Sequence, residues 1–123
     1  MKMFLPNRAV IGACLLLGSA CSTPDRTASV PRNRYGLQLS DATNRALKFV
    51  PGMPQDSVKE LLGDPDETSA GTYGTSTAHP WQGVAWMYKW HWGEFGLYGR
   101  SLVVIFEKGG TNWFVNSWNW YNN

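Results

Sequence analysis

The sequence predicts an α+β domain in which two short helices pack on one face of a three-stranded antiparallel sheet, in the order ααβββ. Three observations lead to this fold class. Two stretches in the first half of the chain place apolar residues at helical spacing and end at Gly or Pro. Three later stretches are rich in aromatic and β-branched residues. A Gly-Gly pair separates the last two stretches and is a hairpin signal.

Each predicted helix has recognisable ends. The first runs from Ser40, which is a good N-cap, to Phe49. The second runs from Pro54, which suits the first helical position, to Leu62, and Gly63 is its expected C-terminal cap. The side chains expected to face the core are Ala42, Ala46, Phe49, Val58, Leu61 and Leu62.

The three predicted strands are residues 84–92, 101–108 and 111–121. Residues 64–83 are rich in Gly, Thr, Ser and Pro, and we expect them to form a long loop that is functional or mobile. Side chains alternate between the two faces of a strand. In the last strand, alternation assigns Trp113, Val115, Ser117 and Asn119 to one face and Phe114, Asn116, Trp118 and Trp120 to the other.

The first twenty residues have the pattern of a secretion signal. Positive charges at Lys2 and Arg8 precede a short apolar run and a group of small residues. The run is shorter than the roughly 20 apolar residues that span a bilayer, so we expect it to be removed. The small residues 18–20 before Cys21 resemble the lipobox of bacterial lipoproteins, which implies cleavage before Cys21 and its modification with acyl chains such as palmitate.

Two alternatives stay open at this end of the chain. Residues 11–13 before Cys14 fit the lipobox better, but cleavage there leaves almost no apolar run after Arg8. Cleavage by the ordinary signal peptidase would instead release a soluble periplasmic protein.

By resemblance to enterobacterial sorting signals, Ser22 after Cys21 favours the outer membrane. The expected location is therefore the cell outer membrane, with a lipid anchor and the domain on the periplasmic face.

The expected organisation is a signal peptide over residues 1–20, a flexible tether over 21–38 and one domain over 39–123. Without the two signal-peptide charges, nine basic residues balance nine acidic ones. A neutral chain gives no case for nucleic-acid binding. If the signal is lost and Cys21 is acylated, no thiol remains for a disulfide or a metal site.

One frame of residues resembles a known family. It comprises residues 50–53, Val58 and residues 61–65, followed by an aromatic segment at 86–88 and a Leu-x-Val-x-Phe segment at 102–106. The frame is similar to that of the SmpA/OmlA family of BamE-like outer-membrane lipoproteins, over about residues 40 to 118. The resemblance implies an envelope protein complex as partner, with the barrel-assembly machinery as the first candidate. The residues that carry the family's fold motif are Gly52, Met53, Val58, Leu62, Gly63 and Pro65.

The sequence contains no convincing catalytic or metal-binding constellation. Neither histidine has the spacing of a metal ligand, the acidic cluster after the second helix is typical of a solvated turn, and no serine has an evident base partner. The residues weighed for these roles are His79, His91, Asp64, Asp66, Glu67, Ser57 and Ser101. We predict a protein that is not an enzyme and that uses no cofactor or metal.

Seven tryptophans are many for a domain of this size. They either fill the core or form an exposed aromatic patch that binds a partner. The candidate partner-binding residues are Trp118, Trp120, Tyr121, Trp90 and Trp92.

The predicted function is a non-catalytic module that stabilises or binds an envelope complex, as in outer-membrane β-barrel assembly. One alternative is glycan or peptidoglycan binding on aromatic platforms beside Asn116, Asn119 and Asn122. Another is an inhibitor, by analogy with the domain architecture of a β-lactamase-inhibitor protein.

Overall fold

The computed structural model describes residues 30–122, which form two helices followed by a four-stranded antiparallel sheet. The strands lie in sheet order β1-β2-β3-β4. The elements are α1 (Leu39–Ala46), α2 (Gln55–Leu62), β1 (Glu67–Tyr73), β2 (Trp81–Trp92), β3 (Tyr98–Gly109) and β4 (Asn112–Asn122). The predicted signal peptide, Cys21 and the tether as far as residue 29 lie outside the described residues.

The prediction of three strands is wrong, and the order is ααββββ. The additional strand, β1, lies within the predicted loop over residues 64–83. Its sequence, Glu-Thr-Ser-Ala-Gly-Thr-Tyr, has no large aliphatic side chain and does not show the pattern of a half-buried strand. It is ordered by pairing with β2, where Ser69 lies opposite Ala85 and Gly71 opposite Gly83. The domain is still of the α+β class.

A β-bulge in β4 changes which of its side chains face the helices. Ile105 lies opposite Ser117, but the next residue, Phe106, lies opposite Val115, so that Asn116 is the additional residue. The bulge shifts the alternation of side chains by one position. Odd-numbered residues before Asn116 and even-numbered residues after it therefore face the helices. The prediction of strict alternation in β4 is therefore wrong, and Trp113, Val115, Trp118 and Trp120 share one face.

The core lies between the two helices and one face of the sheet. The predicted helical stripe is confirmed for Ala42 and Ala46, which are buried. Phe49 is also buried as predicted, but it lies beyond α1, which ends at Ala46 and not at Phe49. The Phe49 ring meets Trp118 edge-on at 5.4 Å. The other buried residues of this core are Val58, Leu62, Tyr88, Trp90, Leu102, Val104, Phe106 and Val115.

A turn before α1 fixes where that helix begins. Arg32 and Gln38 form an antiparallel bridge, and the buried Asn33 side chain accepts backbone hydrogen bonds from Tyr35 and Leu37 at 3.0 and 2.9 Å. The helix starts directly after the bridge, with Gln38 at the N-cap position. The prediction of Ser40 as N-cap is therefore wrong. The turn occupies residues 31–38, within the segment for which the sequence predicts a tether.

The residues of the predicted family motif stabilise turns, helix ends and the core. Gly52 has φ +90° and donates its backbone N–H to the Val115 carbonyl at 2.7 Å, while Met53 accepts from the Val115 N–H at 2.8 Å. This pair of bonds attaches the segment between the helices to the outer edge of β4. Val58 and Leu62 are buried, and Pro65 follows the helix end.

The Tyr88 hydroxyl joins the sheet to the end of α2. It is buried and donates a hydrogen bond to the Gly63 carbonyl at 2.8 Å. Burial raises the pKa of Tyr88 above its ordinary value, and the Asp64 and Asp66 carboxylates raise the pKa further. The neutral hydroxyl is therefore the form that the fold stabilises.

Alkaline pH should destabilise the domain through Tyr88. Because the pKa of Tyr88 is raised by folding, the unfolded chain releases this proton first, from about pH 10 upwards. The stabilisation is complete below that pH and declines as the pH rises above it. Urea unfolding across this range should show a steeper loss of stability for the wild type than for Tyr88→Phe. The exposed control Tyr35→Phe should keep the wild-type slope, and an equal slope in Tyr88→Phe would count against the assignment.

Candidate functional site

The two faces of the sheet differ in what covers them. Both helices pack on the face that carries Tyr88, Leu102 and Val104. Side chains alternate along β2 and β3, so their remaining positions point to the opposite face. Neither helix contributes to that second face, which we call the open face. In the two central strands it consists of Ala85, Met87, Lys89, Ser101, Val103 and Ile105.

The centre of the open face is apolar. Met87 lies opposite Val103, and Ala85 lies opposite Ile105. The side chains of Met87, Val103 and Ile105 are only half-buried and leave apolar surface in contact with solvent. Met87 and Val103 also border an open depression of about 550 Å³. Its lining residues are Met87, Lys89, Ser101, Val103, Tyr121 and Asn122.

Polar and charged groups border this apolar centre. Lys89 forms an ion pair with Glu67 of β1, and its backbone N–H donates to an Asp66 carboxylate oxygen at 2.8 Å. Ser101 separates Lys89 from Tyr121 in the register of the sheet, and Tyr121 is 51% exposed. An apolar centre with a polar rim is the usual composition of a protein-binding surface.

The structure divides the five predicted partner-binding residues between the two faces. Trp90 is fully buried beneath the helices, and its indole N–H donates to the Leu37 carbonyl at 2.9 Å. The indole of Trp120 lies 5.9 Å from that of Trp90, with the Arg100 guanidinium 4.8 Å from its ring. Tyr121 alone of the five belongs to the open face. The three half-buried members on the helix-covered face are Trp92, Trp118 and Trp120.

An aromatic pair on the open face was not predicted. Tyr73 and Trp81 lie opposite each other in β1 and β2, and their rings stack at 4.9 Å. Both rings lie over Gly83, where an added Cβ would come within 2.6 Å of Tyr73 and 2.8 Å of Trp81. Both residues lie within the predicted loop over residues 64–83, so no alternation pattern indicates the pair.

The acidic cluster after α2 has structural contacts. Asp64 lies 3.4 Å from Lys59, with both side chains well exposed, so that this pair contributes little to stability. Asp66 accepts a backbone bond from Lys89, and Glu67 pairs with the Lys89 side chain. Asp66 and Glu67 thus attach the start of β1 to Lys89 of β2, whereas Asp64 pairs with Lys59 of α2.

The other residues weighed for chemistry lie apart. His79 and His91 are exposed, Ser57 lies in α2 and Ser101 is buried under the open face. Among residues 30–122, no group of three or more His, Cys, Asp or Glu side chains is placed to hold a metal ion. None of the helices in this part of the chain is long and apolar enough to cross a membrane.

Comparisons with known proteins identify no relative. No protein-family model matches the chain, and no curated protein or solved structure is significantly similar to it.

Proposed function

We propose that the protein is a lipid-anchored, non-catalytic protein of the bacterial outer membrane that binds an envelope protein through its open face. The observation that carries the binding proposal is the half-buried apolar centre of Met87, Val103 and Ile105 within a polar rim. The anchor at Cys21 rests on the signal-peptide pattern that precedes it. The resemblance to BamE-like lipoproteins makes the barrel-assembly complex the first partner to test.

The open face is a better docking surface than the tryptophan cluster. Trp90 is buried, and Trp118 and Trp120 lie against Phe49 and Trp90, so that these indoles already stabilise the fold. A partner that reached Trp90 would have to displace the helix layer. Tyr121, in contrast, extends from the open face beside the apolar centre and is available without rearrangement.

The glycan alternative has less support from the arrangement of the residues. Asn119 lies on the open face, whereas Trp118 and Trp120 lie on the helix-covered face. Asn116 is the bulge residue and donates to the Glu107 carboxylate at 2.7 Å. Asn116 and Asn119 are therefore separated from the Trp118 and Trp120 indoles, and only Tyr121 combines an exposed ring with nearby amides, those of Asn119 and Asn122. Glycan binding becomes an outcome of the test below.

Val103→Lys should greatly weaken co-purification of the partner. A lysine at the centre of the open face would place an unpaired charge in the interface, and each 1.4 kcal/mol of lost binding energy is about tenfold in affinity. We expect at least a tenfold loss in a mild-detergent pull-down from the native envelope, quantified by mass spectrometry. Thr68→Lys adds the same charge at an exposed position of β1 outside the open face and should keep the partner.

The outcomes separate the possibilities. Loss of an envelope protein in Val103→Lys alone, with unchanged thermal unfolding of both variants, supports the proposal. Equal recovery in both variants contradicts docking at the open face. Recovery of peptidoglycan fragments without a stoichiometric protein favours the glycan alternative.

A further inference from the structure

The hairpin between β2 and β3 ends in an exposed apolar tip, formed by Phe95 and Leu97. Phe95 is fully exposed and Leu97 is 71% exposed. Phe95 also has φ +57° and ψ +23°, a left-handed conformation that costs a non-glycine residue about 1–2 kcal/mol. Glycine or asparagine would fit this turn better and would be more soluble. Neither folding nor solubility explains a phenylalanine here, and strained, exposed residues are candidates for function.

Two further aromatic side chains lie behind the tip. Trp92 and Tyr98 close the hairpin as a cross-strand pair, with their rings stacked at 6.3 Å. Trp92 is half-buried and Tyr98 is exposed. The hairpin thus has apolar side chains at its end and a Trp and a Tyr directly behind them. This order fits a membrane surface, where the acyl region lies below the headgroups. Trp and Tyr are enriched at the level of the lipid headgroups, and aliphatic and Phe side chains enter the acyl region below.

The chain enters the domain at the same end of the sheet as the tip. Leu37 accepts the hydrogen bond of Trp90, which is two residues from Trp92 at the base of the hairpin. From there the chain leads away from the tip: Phe49 packs on Trp118, and Gly52 bonds to Val115. Trp118 and Val115 lie successively farther along β4 from Asn122, which pairs with Arg100 near the base of the hairpin.

The chain that precedes the domain is short. Nine residues, 22–30, separate Cys21 from Pro31, and the fully extended chain from Cys21 to Pro31 spans at most about 36 Å. An anchor at Cys21 would thus hold the entry point, and with it the tip, close to the bilayer.

We infer that Phe95 and Leu97 insert into the surface of the membrane that holds the lipid anchor. This inference rests on the proposed anchor at Cys21. The tip carries the acidic Glu94 and no basic residue, so the contact is apolar and does not require anionic lipids. Together with the tether, it provides a second point of attachment that limits rotation of the domain above the membrane.

A fluorescent probe in the tip tests the insertion. The lipidated full-length protein is purified as Glu94→Cys, labelled with an environment-sensitive fluorophore and reconstituted in phosphatidylcholine vesicles that contain spin-labelled lipid. We expect a blue-shifted emission and quenching by the spin label. Ser76→Cys, which is exposed in the hairpin at the other end of the sheet, should show neither. Adding Phe95→Ser and Leu97→Ser to Glu94→Cys should abolish both signals.

Vesicle flotation in the same samples separates this inference from the proposed anchor. Protein that floats with an unshifted probe in the tip keeps its anchor and overturns the insertion. Protein that does not float contradicts the anchor, and the tip inference fails with it. A probe that shifts in native envelopes but not in pure lipid places the tip against a protein and also overturns the inference.

Discussion

Trp90→Ala should lower the free energy of unfolding by about 3–5 kcal/mol, the usual cost of truncating a large buried aromatic side chain. Trp90 is fully buried, and its ring lies 6.5 Å from Tyr88 and 5.9 Å from Trp120. Its indole N–H also holds the turn before α1 through the Leu37 carbonyl. The substitution removes apolar contacts on both sides of the ring and leaves that carbonyl with only its hydrogen bond from the Asn33 N–H.

A loss of this size is a large fraction of the 5–15 kcal/mol that stabilises a typical domain. Urea unfolding monitored by circular dichroism measures it. The matched control is Trp81→Ala, because Trp81 is half-buried on the open face and stacks on Tyr73. We expect the control to cost about 0.5–1.5 kcal/mol beyond its smaller loss of burial, the range for an aromatic pair. Equal losses in the two variants would contradict the division of tryptophans between core and open face.

Gly63→Ala should destabilise the domain by about 1–3 kcal/mol through backbone strain alone. Gly63 ends α2 with φ +79° and ψ −161°, a conformation available essentially to glycine only. An added Cβ would have no neighbour within 4 Å, so steric clash makes no contribution. The residue also links α2 to β2, since its N–H donates to the Lys59 carbonyl at 2.7 Å and its carbonyl accepts from the Tyr88 hydroxyl at 2.8 Å.

Gly71→Ala is the control for this prediction. Gly71 lies in β1 without a positive φ, and its nearest contact to an added Cβ is the Tyr73 ring at 3.9 Å. Alanine should be tolerated there with little change, because it costs less conformational entropy than glycine on folding. Comparison of urea midpoints gives both values. A Gly63→Ala midpoint at or above the wild-type value would show that the chain can leave α2 without this conformation.

The sequence predicted the strongly patterned elements and missed the weakly patterned one. Both helices and the strands β2, β3 and β4 show apolar periodicity, because one face of each packs into the core. β1 has no such pattern, because its cohesion comes from backbone bonds to β2 and from the Tyr73 ring over Gly83. The bulge at Asn116 was equally hidden, since a single unpaired residue leaves no mark on composition.

The candidate site could be predicted only in part, because which face is open is a tertiary property. Tyr121 was identified from its aromatic neighbours and does lie on the open face. Trp118 and Trp120 alternate with it along β4, so they must face the other way, against the helices. Met87 and Val103 were not among the candidate residues from the sequence. Their exposure follows from the helices covering the opposite face.

The central claim, a binding domain attached to the membrane by lipid at Cys21, is tested most directly by the intact mass of the protein isolated from its native envelope. The account predicts a chain that has lost residues 1–20 and carries acyl chains on its first residue, with Cys21→Ser preventing both the cleavage and the added mass. A mature chain that begins elsewhere and has the mass of unmodified protein would contradict it.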